Sequence, residues 1–330
     1  MDLKCNALVT INGKSLDTVV SVKTTNDSAH IGAYCDIVVP LKARFKYQGN
    51  KNNQDDYTTA VTINEFKSGD TVEVVANYEG MPKLTIFKGF VYDFIEGTPT
   101  TIKCMDWIYK LNQTSLNIFE KSISIKSLLN KVLAGTGVTL LPTIEMNFED
   151  ITFARMSPAA ILEWLKSTLG LNISLQNDKL YCNIASHTVG TIKLKTDRNV
   201  ITSGLQRPEA AFQRFKVLVK FADINGTQKE VEVGDKDGTL MNYFYYNVLP
   251  RTEANYTKLA NNALLKAKQK RYSGNIEMYL YPECDIFWRV EYEDVRYPNR
   301  NGVYVVTQRG VVLDKTGFHQ NLKLAFLAEK

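Results

Sequence analysis

The chain of 330 residues exceeds what one hydrophobic core usually holds, so two or three domains are expected. Its make-up, 44% hydrophobic and 23% charged with 19 Gly and 9 Pro, excludes a disordered or collagen-like chain. The net charge of +5, from 40 basic and 35 acidic residues scattered along the sequence, builds no stripe for nucleic acid, and no run approaches the ~20 apolar residues of a membrane span.

From the N-terminus to residue 120 the pattern is strand after strand. Ala7–Ile11 leads into Asn12-Gly13, a dipeptide that tolerates positive φ at both central positions of a type I′ turn, and the β-branched run Val19–Val22 is expected to complete the hairpin. Ala33–Pro40, Thr71–Tyr78 and Leu84–Ile95 repeat the β-branched and aromatic pattern, with Gly80 and Gly97 as turn formers. The polar segment 46–57 can bury little and is expected to be a long exposed loop.

Near residue 121 the hydrophobic period changes from 2 to 3.6. Ile125, Leu128, Leu129, Val132 and Leu133 share one helical face behind Ser124 as N-cap, and Gly135 supplies the stop. Ser157 caps a second helix. Pro158 takes its first position, where a missing N–H costs nothing, and Ile161, Leu162, Leu165 and Leu169 line one face up to Gly170. Leu171–Leu175, Asn177-Asp178 and Leu180–Ile184 then read as a hairpin, so 121–190 forms a small α/β unit.

Strands return after residue 190. Phe215–Phe221, a turn at Asn225-Gly226 and Glu230–Val233 make a hairpin with one apolar and one charged face. A long helix, near 252–271, carries Tyr256, Leu259, Ala260, Ala263, Leu264 and Ala267 on one side and ends in the cationic Lys266–Arg271. Ile276–Tyr281, Ile286–Tyr292, Val303–Gln308 and Asn321–Leu327 finish the chain, with Asn301-Gly302 and Thr316-Gly317 as turns. The expected fold is mainly β with an α/β insert: β domains at 1–120 and 191–330 flank the insert at 121–190.

Residues that could carry chemistry do not assemble into a pattern. Cys5, Cys35, Cys104, Cys182 and Cys284 are odd in number and scattered, which suits small buried hydrophobes, and His30, His187 and His319 fall in no metal-binding spacing. Nucleophile elbow, phosphate loop and dinucleotide fingerprint are all missing, so no catalytic, cofactor-binding or metal-ligating residue is assigned and an enzyme is not expected. Glu291, Glu293 and Asp294 could supply the paired carboxylates of a glycosidase, but Glu291 and Glu293 alternate with Val290 and Tyr292, as the solvent face of a half-buried strand does. Tyr243-Phe244-Tyr245-Tyr246, Tyr279 and Tyr281 could stack on bases or sugars; without a basic run beside them, a protein interface is favoured. A carbohydrate-binding or carbohydrate-processing β protein and an OB-type nucleic-acid binder remain the alternatives.

Two stretches resemble the phage tail baseplate hub family, which includes the central hub of contractile tails and the hub portion of type VI secretion spike proteins. One is Phe87-Lys88-Gly89-Phe90-Val91-Tyr92-Asp93-Phe94 with Thr101-Ile102-Lys103-Cys104-Met105-Asp106-Trp107-Ile108-Tyr109-Lys110-Leu111. The other is Asp285-Ile286-Phe287-Trp288-Arg289-Val290, then Gly302-Val303-Tyr304-Val305-Val306, then Gly317-Phe318 and a last alternating strand; Cys284 stands where the family commonly has glycine before a local bulge. Asp150–Phe153 followed by the helix capped at Ser157 is similar to the family's α/β insert. The resemblance implies two similar antiparallel β-barrels per chain and a homotrimer whose six barrels imitate a sixfold ring. It also implies an adaptor joining a tail tube protein to a separate spike protein among baseplate wedge components. Assembly in a bacterial cytoplasm, then residence in a virion or tail-like particle, would follow, and Gly49–Asp56 would be either a contact to the tube or neighbouring baseplate parts or a solvated loop of no function.

Overall fold

Alternation of β-branched and polar residues turns most of the chain into strands, and two runs of helical period interrupt them. The computed structural model describes residues 4–47, 57–205, 214–223, 225–244, 252–271 and 273–328. Strands β1 (Cys5–Ile11), β2 (Lys14–Leu16), β3 (Ser21–Asp27), β4 (Tyr34–Val39), β5 (Lys42–Tyr47) and β6 (Tyr57–Val61) come first, followed by the one-turn helix α1 (Thr62–Glu65). Then come β7 (Thr71–Tyr78), β8 (Leu84–Ile95), β9 (Thr100–Met105) and the short α2 (Ile108–Leu111). The middle holds β10 (Leu116–Ser124), α3 (Ile125–Leu133), β11 (Thr139–Leu140), β12 (Asn147–Met156), α4 (Pro158–Leu169), β13 (Asn172–Gln176) and β14 (Lys179–Asn183). The last part holds β15 (Thr191–Lys195), β16 (Val200–Ser203), β17 (Phe215–Ala222), β18 (Gln228–Gly234), β19 (Thr239–Phe244), α5 (Glu253–Arg271), β20 (Ser273–Tyr279), β21 (Arg289–Glu293), β22 (Gly302–Asp314) and β23 (Gly317–Ala328).

The local signals are realised where the deciding interactions are local. Asn12 and Gly13 take φ of 47° and 75°, and the Ser124 and Ser157 hydroxyls accept from the backbone N–H of Ser127 and Ala160. Where partners lie far away, the expectations shift. The opening hairpin closes on the short β2, while Val19-Val20 lead into β3, whose partners are β4 and β22. The strand expected at Ile286 begins at Arg289, because Ile286 N–H binds its neighbour Asp285 and Phe287 takes a φ of 63°. Asn301-Gly302 makes no two-residue turn: Pro298–Arg300 form a 3-10 turn and the Asn301 amide oxygen accepts from Asp294 N at 2.6 Å. Most of the expected loop at 46–57 lies outside the described residues, and its ends, Lys46 and Tyr57, are paired across β5 and β6.

The protein is mainly β, and the described strands reveal a duplication. Taken in chain order as a to f, the first unit is β1, β3, β4, β7, β8 and β9, and its hydrogen-bonded order is a-d-e-f-c-b. The second unit is β15, β16, β20, β21, β22 and β23, and its order is again a-d-e-f-c-b. One difference is that β15 and β21 run parallel whereas β1 and β7 run antiparallel. Each unit curls around its own core. Val9, Val22, Ile37, Val74, Phe87 and Ile102, one from each strand, meet in the first, and Leu194, Met278, Val290, Val306 and Leu324 meet in the second.

A third core lies under α3 and α4, and α5 with β17 and β18 joins it. Tyr256 stacks on Phe221 at 3.9 Å between ring centroids, and Leu259 is fully buried. On the outer face of the β17–β18 hairpin Lys216 and Lys220 reach Glu232 and Glu230 at 2.8 Å, which separates its charged side from Val217, Val219 and Phe221 in the core. β19 pairs parallel to β17, a contact the sequence does not announce.

Candidate functional site

The two β units are joined by one strand. β22 is 13 residues long: Gly302–Val305 pair with β21 inside the second unit, and Gln308–Leu313 pair antiparallel with Asp27–Val22 of β3 in the first. A register shift between Val306 and Gln308 separates the halves. Tyr304 and Val306 accordingly point into the second core, and Val311 and Leu313 into the first. One continuous sheet therefore runs through both units.

A buried polar cluster fixes this joint. Arg309 of β22 stands opposite Asn26 of β3, and its Nε donates to the Gln320 amide oxygen at 2.9 Å. Gln320 in turn donates to the Leu280 and Pro282 carbonyls at 2.6 and 3.1 Å. Asp285 accepts from the Asn26 amide at 3.0 Å and from Ile286 N at 2.8 Å. Burial pushes the Asp285 carboxyl above the ordinary carboxylate range, and the Arg309 guanidinium opposes that shift. Beside them Asp106 is fully buried and accepts from Ala33 N and Ile108 N at 2.7 and 2.9 Å; desolvation lifts it to about 7. Asn26, Asp106, Asp285 and Arg309 border a cavity of about 40 Å³, just large enough for one water. Tyr78 adds a second clasp by accepting from Leu280 N at 3.0 Å and donating to the Phe318 carbonyl.

The residues that could have carried chemistry are placed elsewhere. Glu291 and Glu293 lie on the outer face of β21, where they reach Lys193 and Lys195 of β15 at 3.7 and 2.7 Å. Asp294 is buried and accepts from Arg296 N and Tyr297 N at 2.9 and 3.0 Å, so it shapes the turn after β21. The five cysteines form no disulfide; Cys5 is half-buried, the other four are buried, and burial raises the Cys104, Cys182 and Cys284 thiols, the last two to about 12. His187 meets the Tyr181 hydroxyl and His319 lies 3.7 Å from Glu277, far from His30 in the chain. Among the described residues no group of three His, Cys, Asp or Glu could hold a metal, and no helix is long and apolar enough to cross a membrane.

The aromatic candidates are divided. Tyr281 reaches the Pro82 carbonyl and packs against Tyr78 at 5.8 Å, so it belongs to the joint between the units and is not a free stacking platform. Tyr243 packs on the third core, Tyr279 is exposed, and Tyr245 and Tyr246 lie outside the described residues. Sequence reasoning missed Asn26, Arg309 and Gln320. A polar residue at a strand's inward position is a usable signal for such a cluster, but only once the facing strand is known.

No family model and no curated protein matches the chain. Solved structures do. The 43 kDa tail protein of prophage MuSo2 from Shewanella oneidensis is similar over 98% of both chains, at 14% identity and a TM-score of 0.68. A tail protein from Neisseria meningitidis MC58 is similar over 98% of this chain and 96% of its own, at 13% identity and a TM-score of 0.67. An E. coli component of the type VI secretion system, described as structurally similar to T4 bacteriophage tail proteins, is similar over 98% of this chain and 77% of its own, at 8% identity and a TM-score of 0.57. At such identities the likeness is one of architecture, and the chain shares the fold of these tail proteins.

Proposed function

We propose that the protein is the structural hub of a phage-tail-like baseplate, three copies closing into a ring of six β units that joins a tail tube to a separate central spike. The observation that carries this reading is the repeated strand order a-d-e-f-c-b, because a trimer can present six comparable walls only if each chain contributes two. Domains at 1–120 and 191–330 would form the ring. The insert at 121–190, enlarged by α5 and its sheet, would stand beside it, where wedge components could dock. The work is mechanical: no bond is made or broken, and the acids and histidines keep the structural roles described above. Assembly in a bacterial cytoplasm and residence in the particle's baseplate follow from the same reading.

Sedimentation of the full chain, alone and with a tail tube protein, tests the proposal. Three copies are expected, either free or on the end of the tube. A chain that stays single in both conditions overturns it.

A further inference from the structure

The joint inside the chain is a template for a joint between chains. Strand e of the second unit, β22, passes a register shift at Thr307 and then pairs its hairpin-proximal half with strand b of the first unit, β3. Strand e of the first unit, β8, has the same construction. Leu84–Phe90 pair with β7, a register shift separates Val91 from Asp93, and the hairpin-proximal half Asp93–Ile95 continues with β9 on one edge only. Strand b of the second unit, β16, likewise pairs with β20 alone. Among the described residues, then, one e edge and one b edge are left without a strand, and they are the equivalents of the two edges that β22 and β3 bring together.

We propose that Asp93–Ile95 of β8 in one copy pairs with Val200–Ser203 of β16 in a second copy of this chain, repeating between subunits the β22–β3 joint. This rests on the ring reading and specifies its contact. Exposure supports it: Val311, Leu313 and Val22 are buried by the internal joint, whereas Ile95 is 51% and Ile201 44% exposed. β16 also borders a groove of about 410 Å³ with the exposed Val295 and Tyr297 on its wall, a seat for the apolar tip of β8. The groove carries Arg296 and Arg300 beside Asp197 and Asp294, so it is the apolar wall and not net charge that suits it to the tip of β8. Neither edge segment, Asp93–Ile95 or Val200–Ser203, contains a lysine or proline to discourage pairing, as edges kept free in solution commonly do. Repeated three times, an e-to-b joint between copies alternates with the e-to-b joint within each copy, so that all six units meet through one kind of contact.

Substitutions Ile95→Lys and Ile201→Lys, each in the full chain, place a charge on an exposed side chain and leave both cores alone. Each is expected to reduce the solution mass from three chains to one, with the unfolding temperature within about 2 °C of the parent. In a second arm, Ile95→Cys and Ile201→Cys are combined, with Asp93→Cys replacing Ile95→Cys in a register control. Mild oxidation should give a ladder ending at three chains, whereas each single variant, with no thiol facing its cysteine across the joint, stays at one. A trimer that resists both lysines and gives no ladder overturns the joint and leaves the ring standing. A parent chain that never trimerises, alone or on tube, overturns both.

Discussion

Gly89 and Asp106 show how single positions hold the first unit to its neighbours. A Cβ on Gly89 would lie 2.2 Å from the Met105 carbonyl oxygen, so the glycine of the Lys88-Gly89-Phe90 run is required by the approach of β9 and not by an unusual φ. Asp106, one residue past that carbonyl, is buried and binds two backbone N–H groups, and burial raises it to about 7. Its carboxyl in the unfolded chain titrates near 3.9. The folded state thus holds the proton more tightly, so stability from this group is complete below about pH 4 and is lost as pH rises towards 7. The loss is at most about 4 kcal/mol, from 1.36 kcal/mol per pKa unit. Asp106→Asn keeps one acceptor and cannot ionise. Denaturant unfolding of the variant should therefore be flatter between pH 5 and 8 than that of the parent, and equal slopes would show that Asp106 is not the source.

Helix α5 illustrates what an element can and cannot disclose on its own. Its apolar stripe identifies the helix, but not the surface it covers. Tyr256 and Leu259 dock on β17 and β18 and extend the core of the insert, whose last strand, β14, ends at Asn183, well before α5 begins at Glu253. Leu259→Ala should cost about 2–5 kcal/mol, the usual range for emptying a buried leucine site. The loss should fall on the insert: thermal unfolding is expected at lower temperature while the mass of the assembled species stays unchanged. The capped helices at Ser124 and Ser157 were legible because cap, stripe and stop sit within a dozen residues. β22 was legible only as far as Gln308. Arg309-Gly310 breaks the alternation there, and the strand continues to Asp314 because β3 supplies hydrogen-bond partners from the other end of the chain.

At the scale of the molecule the decisive feature is a pairing between residues about 285 positions apart, for which no local pattern exists. The duplication was legible as two β-rich regions around an insert, because each region obeys period two. The seam was not, because Asn26, Asp285, Arg309 and Gln320 look like polar interruptions until the strands face each other. Arg309 bonds Gln320, and its positive charge offsets part of the cost of burying the Asp285 carboxyl, so removing it restores that cost and loosens the hold on Gln320. Arg309→Met should therefore cost about 1.5–3 kcal/mol, the usual worth of a hydrogen bond from a charged group. With its counter-charge gone, the already raised Asp285 is driven further up, so the folded state increasingly requires a protonated carboxyl and the deficit grows as pH rises. Urea unfolding at pH 5 and pH 8 is expected to show the larger penalty at pH 8, and adding Asp285→Asn should recover most of it. An Arg309→Met deficit that is the same at both pH values, or that the second substitution leaves untouched, would mean that the seam is held by its strand pairing and the Tyr78 clasp, with the charges as bystanders.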